Sequence, residues 1–204
     1  NKHPCTPGFI FNSPDYKLPG RVAANRLTFN LALATSIYVV QADGTISLDE
    51  SGATRTLAIL LAIEHLNNKT NNLYDNLLDN TPINYVWKNT GRNYELATEA
   101  AMHFARRSAF DNDRVADGII GPFNSGSTMR VQSLIKHIPI MQLSPSATSP
   151  LLSDDNLYPY FVRTVLDDGF TVKALVDIVR NIFSWDEVGI ISDTSVYSNS
   201  LKNL

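Results

Sequence analysis

The fold of this chain is decided by a stretch in its second half, which has the sequence GIIGPFNSGST at residues 118–128. The short, continuously apolar run that opens it is typical of a parallel strand buried on both faces. The turn that follows, at 121–128, offers hydroxyls and backbone N–H groups where the strand ends. Open α/β sheets bind small ligands outside the carboxyl ends of their strands, so this turn is a candidate ligand site.

A second turn of the same kind follows a second predicted strand. The sequence is IPIMQLSPSATSP at residues 138–150, with the strand at 140–143 and the turn at 144–150. Parallel strands bring their carboxyl ends to one edge of a sheet, so we expect the two turns to lie side by side. Together they indicate a pocket for a small zwitterion rather than a surface for a macromolecule.

Strand and helix patterns alternate along the chain. The predicted strands lie within 27–40 and at 83–88, 117–121, 140–143, 158–165 and 187–192. The predicted helices lie at 51–67, 93–107, 127–137 and 170–183, and a further helix begins in the last residues. This alternation predicts an α/β fold built on a doubly wound parallel sheet. Residues 1–24, in which prolines and glycines recur, form a predicted irregular lead-in.

Apolar spacing predicts which face of each helix is buried. The side chains expected inside are Leu57, Ile59, Leu60, Leu61, Ile63 and Leu66 in the first helix, Ala97, Ala100, Ala101, Phe104 and Ala105 in the second, Val131, Leu134 and Ile135 in the third, and Ala174, Leu175, Ile178 and Val179 in the fourth. A turn is predicted at 41–44, because Asp-Gly pairs favour tight reversals.

The composition is that of a globular protein and argues against several functional classes. The 204 residues carry a formal net charge of −3, which gives no footprint for nucleic acid. No run of 18 apolar residues occurs, so no membrane span is expected within them. The chain lacks the dinucleotide, phosphate-loop and nucleophile-elbow motifs, and its histidines have no metal-like spacing. We therefore expect no enzyme activity, no cofactor and no metal.

Two single features bear on the cellular compartment. Cys5 is the only cysteine, so it is either a free thiol or the partner of a cysteine outside these residues. The triplet Asn68-Lys69-Thr70 is an N-glycosylation signal, which predicts a glycan on Asn68 if the chain is secreted.

An amino acid is the zwitterion that the two turns would suit. Its carboxylate needs donors, which Ser125, Gly126 and Ser127 offer at a predicted helix N-terminus. Its ammonium needs acceptors, and Thr148 offers a hydroxyl while Asp168 offers a charge. An alternative stays open, in which Ser125 and Ser127 cap a helix and 144–150 is only a rigid turn.

At these residues the chain resembles a known family. The motifs GIIGPFNSGST, IPIMQLSPSATSPLLSD, YPYFVRTV and ALVDIV, followed by Trp185, occur in this order between residues 118 and 197. They are similar to the Venus-flytrap, periplasmic-binding-protein-like (type I) ectodomain of class C G-protein-coupled receptors, above all the metabotropic glutamate receptors. The resemblance implies a fragment, with lobe one at 25–165 nearly complete and the start of lobe two at 166–204.

The resemblance also assigns roles to individual residues. Ser125 would hold the ligand α-carboxylate, beside Gly126, and Thr148 would meet the ammonium, with Ser146 and Ala147 lending contacts from the same turn. Asp168 would supply the charge for the ammonium. Tyr197 would cover the ligand from lobe two, and Arg55 would receive a distal carboxylate, which favours glutamate.

The function that the resemblance implies is an extracellular receptor domain that binds an L-amino acid between two lobes. Closure of the lobes would drive signalling. The resemblance further implies a homodimer through lobe one, using the helices near 55–66 and 93–107, and a parent protein anchored in the plasma membrane downstream. Two alternatives stay open: a soluble amino-acid-binding transport protein, and the peptide-binding domain of a receptor guanylate cyclase.

Overall fold

The computed structural model describes residues 28–41, 43–78, 81–110 and 116–202. The predicted lead-in at 1–24 and Cys5 lie outside these ranges. The seven strands of the described residues are β1 Phe29–Thr35, β2 Tyr38–Val40, β3 Ile46–Leu48, β4 Ile83–Asn89, β5 Gly118–Ile120, β6 Met141–Ser144 and β7 Phe161–Arg163. The five helices are α1 Glu50–Asn67, α2 Tyr94–Phe110, α3 Ser125–Ile135, α4 Asp168–Asn181 and α5 Val196–Lys202, and a 3-10 turn spans Pro150–Ser153.

Five of these strands form one sheet in which every neighbouring pair is parallel. The spatial order is β4-β1-β5-β6-β7, so β1 pairs with β4 on one side and with β5 on the other. The chain therefore leaves the centre of the sheet after β1 and returns to it at β5, as in a doubly wound sheet. The predicted α/β fold with a parallel sheet is confirmed.

The two faces of the sheet carry separate cores, because side chains along a strand alternate between faces. Ala32 and Ala34 of β1 pack against the buried alanines of α2 and against α3. Leu33 of the same strand packs on the opposite face, against Ile63 of α1. The buried face predicted for α2 is confirmed, since Ala97, Ala100, Ala101 and Phe104 are all inaccessible and Ala105 packs beside them.

The buried face predicted for α1 is partly wrong. Leu57 and Leu61 are 59% and 52% exposed, whereas Thr56 is buried. The Thr56 hydroxyl lies within hydrogen-bond distance of both Thr35 Oγ1, at 2.8 Å, and Gly52 O, at 2.7 Å, so a polar side chain is accommodated against the sheet. A similar correction applies to α3, where Leu134 is 38% exposed and the side chain of Gln132 is buried.

The region after β7 departs furthest from the prediction. Residues 187–192 do not form the predicted strand, and no residue of α4 is buried. Ala174, Leu175 and Ile178 are exposed, because no described element covers that face of α4. The division into lobes at 165–166 stays a prediction.

A hairpin lies beside the main sheet. It pairs β2 and β3 antiparallel, around the turn predicted at 41–44. None of the helices in the described part of the chain is long and apolar enough to span a membrane.

Candidate functional site

The carboxyl edge of the sheet places the two predicted turns next to each other. The first turn leads directly into α3, whose N-terminal cap is Asn124: its side chain accepts a hydrogen bond from the Ser127 N–H at 2.8 Å. The alternative in which Ser125 and Ser127 serve as the caps is therefore wrong, because Asn124 has that role. The hydroxyl of Ser127 is buried and makes no hydrogen bond.

Ser125 connects the first turn to the second. It is the first residue of α3 and is 6% exposed. Its Oγ accepts a hydrogen bond from the Ser149 N–H at 3.2 Å. A hydroxyl that accepts one bond still has its own proton to donate, so Ser125 retains the capacity to bind an anion.

The second turn is fixed by hydrogen bonds to the first. Ser144 Oγ donates to the Pro122 carbonyl at 2.7 Å and accepts from the Ala147 N–H at 3.1 Å. Ser146 Oγ donates to the Phe123 carbonyl, also at 2.7 Å. Ala147 is fully buried, and its methyl group belongs to a small core with Met129 and Leu152. The second turn is thus hydrogen-bonded within itself and to the first turn.

Thr148, Asp168 and Tyr197 come together beyond this turn. The Asp168 N–H donates to the Thr148 carbonyl at 3.0 Å, which seats the first residue of α4 against the turn. Burial raises the pKa of the Tyr197 phenol, the Thr148 side chain near it acts to lower this pKa, and the Asp168 carboxylate raises it. The Oδ2 atom of Asp168 is buried without a hydrogen-bond partner.

Arg55 lies at the rim of the same group. It is exposed near the start of α1, and its Nη1 approaches Ser146 Oγ to 3.5 Å. Its guanidinium carbon lies 5.4 Å from the centroid of the Phe123 ring, which is cation–π distance.

Gly126 packs against a neighbouring helix, because a Cβ there would be 2.7 Å from Tyr94 Cε1.

The sequence analysis missed three residues that hold these elements together. Arg163 donates to the Ser149 carbonyl at 2.9 Å and pairs with the Asp167 carboxylate at 3.2 Å. Asp167 caps α4 by accepting from the Gly169 N–H at 2.9 Å, so Asp168 is not the cap. Ser200 of α5 shares a buried hydrogen bond of 3.0 Å with Ser149. The Asp-Asp-Gly sequence signals a helix start, but it does not say which aspartate is the cap.

Two comparisons with known proteins show the family to which the chain belongs. The family model described as "Receptor family ligand binding region" matches residues 54–204. Glutamate receptor 3.1 of rice (Oryza sativa subsp. japonica) is 30% identical over 154 residues, which is 75% of this chain and 15% of that protein. The chain thus spans about 15% of the length of this relative. Because the family model covers well over half of its residues, the chain belongs to the receptor family of ligand-binding regions.

Proposed function

We propose that this ligand-binding region takes an L-amino acid at the carboxyl edge of its sheet. The observation that carries the proposal is the Oδ2 atom of Asp168, which is buried and has no hydrogen-bond partner. Asp168 lies beside Tyr197, and its backbone N–H donates to the Thr148 carbonyl. A buried carboxylate oxygen without a partner is unfavourable, and a ligand ammonium would satisfy it. Thr148 and Tyr197 add hydroxyl acceptors at the same place.

The other end of the ligand would face α3. The first turn of that helix carries partial positive charge, and the Ser125 hydroxyl retains a proton to donate. Ser149 follows Thr148 in the chain and its N–H donates to Ser125, so the Ser125 hydroxyl lies against the turn that carries Thr148. An α-amino acid carries its carboxylate and its ammonium on one carbon, and it is therefore the ligand class that we propose.

Glutamate is the first ligand to test. Arg55 is a cation held at the rim by Phe123 and Ser146, where a distal carboxylate would meet it. The rice relative is named a glutamate receptor, which also supports this choice.

Calorimetry with L-glutamate, glycine and L-leucine tests the binding function. Thr148→Ala and Asp168→Asn should each weaken amino-acid affinity about tenfold or more, since each removes a hydrogen bond to a charged group. The matched controls are Thr171→Ala and Asp177→Asn on the exposed surface of α4, which should bind as the unaltered protein does. Equal affinity in all four variants would contradict the assignment. If the protein binds none of the three amino acids, the result would contradict the proposal and favour the alternative of a peptide ligand.

We further propose that the parent protein is a G-protein-coupled receptor anchored in the plasma membrane, with this region on the extracellular face. The order of the ligand-site motifs, which resembles that of class C receptors, supports this proposal. Expression of the full-length receptor in cultured cells, with glutamate applied outside, separates receptor types. G-protein activation is expected, and a glutamate-dependent membrane current without it would contradict the assignment. A parent protein without a membrane anchor would instead favour a soluble transport protein.

The extracellular position makes Asn68 a glycosylation site. Asn68 is exposed at the end of α1, and its Oδ1 accepts from both the N–H and the hydroxyl of Thr70, at 3.0 and 2.9 Å. Thr70→Ala should remove a glycan that peptide-N-glycosidase releases, whereas Thr70→Ser should keep it. Equal electrophoretic mobility of the two variants would contradict a glycan at this position.

A homodimer through lobe one is part of the same proposal. Leu57 and Leu61 are exposed one helical turn apart on α1, and Met102 of α2 is 50% exposed. Paired copies would bury such side chains. Leu57→Glu with Leu61→Glu should shift a dimer to a monomer in analytical ultracentrifugation, while Leu175→Glu on α4 should not. Unchanged sedimentation of the double variant would contradict this surface.

A further inference from the structure

Arg163 contacts both elements that carry the proposed ammonium site. On one side, its Nη1 donates to the Ser149 carbonyl at 2.9 Å and approaches the Ala147 carbonyl at 3.5 Å. These two carbonyls flank Thr148 in the chain. On the other side, its Nη2 pairs with Asp167 Oδ2 at 3.2 Å and donates to the Ser153 hydroxyl. A single planar guanidinium therefore links the second turn to the start of α4.

The pair formed by Arg163 and Asp167 is enclosed. Their side chains are only 13% and 23% exposed, so solvent screens the attraction less than it would at the surface. Asp167 also uses its other oxygen to cap α4, through the Gly169 N–H. Because Asp168 follows directly, the position of its carboxylate depends on how Asp167 is held.

We propose that Arg163 and Asp167 act as positioning residues that set the distance between Thr148 and Asp168. Their proposed role is to hold the site, without contact to the ligand. The guanidinium fork is required, since one nitrogen serves the turn and the other serves the helix. The inference rests on the proposed function for its effect on affinity, and on the hydrogen bond from the Asp168 N–H to the Thr148 carbonyl for its effect on geometry.

Three variants separate positioning from folding. Asp167→Asn keeps the helix cap, because an asparagine side chain caps as well as aspartate, but it removes the ion pair. Arg163→Lys keeps the charge and loses the fork, and Arg163→Gln loses both. Arg180→Gln on the exposed surface of α4 is the matched control for the change of charge.

Two measurements are made on each variant. The first is amino-acid affinity by calorimetry, which should fall about tenfold or more in the three variants and stay constant in the control. The second is amide exchange by NMR without ligand. The Asp168 amide should exchange at least tenfold faster in the three variants, while the Gly121 amide, which donates to the Leu143 carbonyl within the sheet, should be unchanged.

The outcomes are distinct. Faster exchange at Asp168 alone supports the positioning role, even if the unaltered protein binds no amino acid, in which case the proposed function fails by itself. Equal acceleration at Asp168 and Gly121 would show general destabilisation and overturn the inference. Unchanged exchange at Asp168 would overturn it as well.

Discussion

The backbone N–H of Ser149 donates to the Oγ of Ser125 over 3.2 Å, and this bond joins the two turns of the candidate site. Ser125→Ala removes the acceptor and leaves a buried N–H unpaired. We expect the free energy of unfolding to fall by about 1–3 kcal/mol. Urea unfolding measures this loss. Ser133→Ala, on the exposed face of the same helix, should stay within about 0.5 kcal/mol. A Ser125 variant as stable as this control would contradict the bond.

Two glycines should respond very differently to alanine. A Cβ on Gly52 would overlap the Ser36 carbonyl and lie 2.7 Å from Asp49 Oδ2. Since backbone there cannot move aside cheaply, Gly52→Ala should cost about 3 kcal/mol or more. Thermal and urea unfolding of the purified variant measure the loss.

Gly126→Ala is the comparison for that variant. The three atoms nearest to its Cβ would all belong to the Tyr94 side chain, which is 49% exposed and so has solvent on one side into which it can shift. The higher helix propensity of alanine offsets part of the strain, so the cost should stay below about 1 kcal/mol. A larger loss from Gly126→Ala than from Gly52→Ala would contradict the packing described for both sites.

Stability should depend on pH through Asp49. Burial acts to raise the pKa of this carboxyl, but bonds from Arg92 and the Gly52 amide, the nearby Ser36 hydroxyl and the charge of Arg92 lower it to about 2. A group whose pKa is lower in the folded state stabilises the fold above its ordinary pKa of 3.8. That contribution is lost as the pH falls toward 2, and it amounts to about 2 kcal/mol.

Urea unfolding at pH 5 and pH 2.5 measures this dependence. Asp49→Asn should reduce the difference in unfolding free energy between the two pH values, because the variant has no carboxyl to protonate. Asp177→Asn, which changes an exposed carboxyl of α4, should leave the difference as it is. If Asp49→Asn leaves the difference in unfolding free energy between the two pH values unchanged, the pH dependence arises from other acidic residues.

The phenol of Tyr197 reports the position of Asp168. Burial and the neighbouring carboxylate both raise its pKa above the ordinary 10.0. Asp168→Asn removes the charge and should lower the pKa of Tyr197, although burial keeps it from returning fully. Ultraviolet titration, taken as the difference from a Tyr197→Phe protein, isolates this residue. A phenol pKa that is the same with and without the Asp168 charge would show that the two groups are apart.

The parallel sheet was predictable because its central strands are unmistakable. The apolar run at 118–120 has no polar face, and the alanines of α2 repeat at helical spacing. The prediction of a strand at 187–192 failed because it rested on the sequence pattern of that segment alone. Strand formation needs a neighbouring strand, and the chain pattern alone does not show whether one is present.

Buried polar residues explain the errors in the helix faces. Thr56 takes a position that apolar counting gives to leucine, since its hydroxyl bonds to Thr35 and to the preceding turn. The buried residues of α1 are Gly52, Thr56 and Ile63, and Gly52 lies close to the Ser36 carbonyl, whereas Leu57 and Leu61 are exposed. Such partners become visible only in three dimensions.

The candidate site was predictable as a set of turns, and its supporting contacts were not. The motif order pointed to Ser125, Thr148, Asp168 and Tyr197, and the fold brings the last three together. No role was predicted for Arg163, because the sequence around an arginine in a short strand does not show which carbonyls its side chain will contact.

All five strands of the main sheet run in the same direction, so the sheet has two different edges. The edge without the serine and threonine turns should tolerate insertions better than the edge that carries them. The described residues between α1 and β4, at 68–78 and 81–82, lie at the edge opposite the serine and threonine turns. Insertions or tags placed in that loop would lengthen the chain without moving Ser125 or Thr148. A label for following ligand capture therefore belongs there.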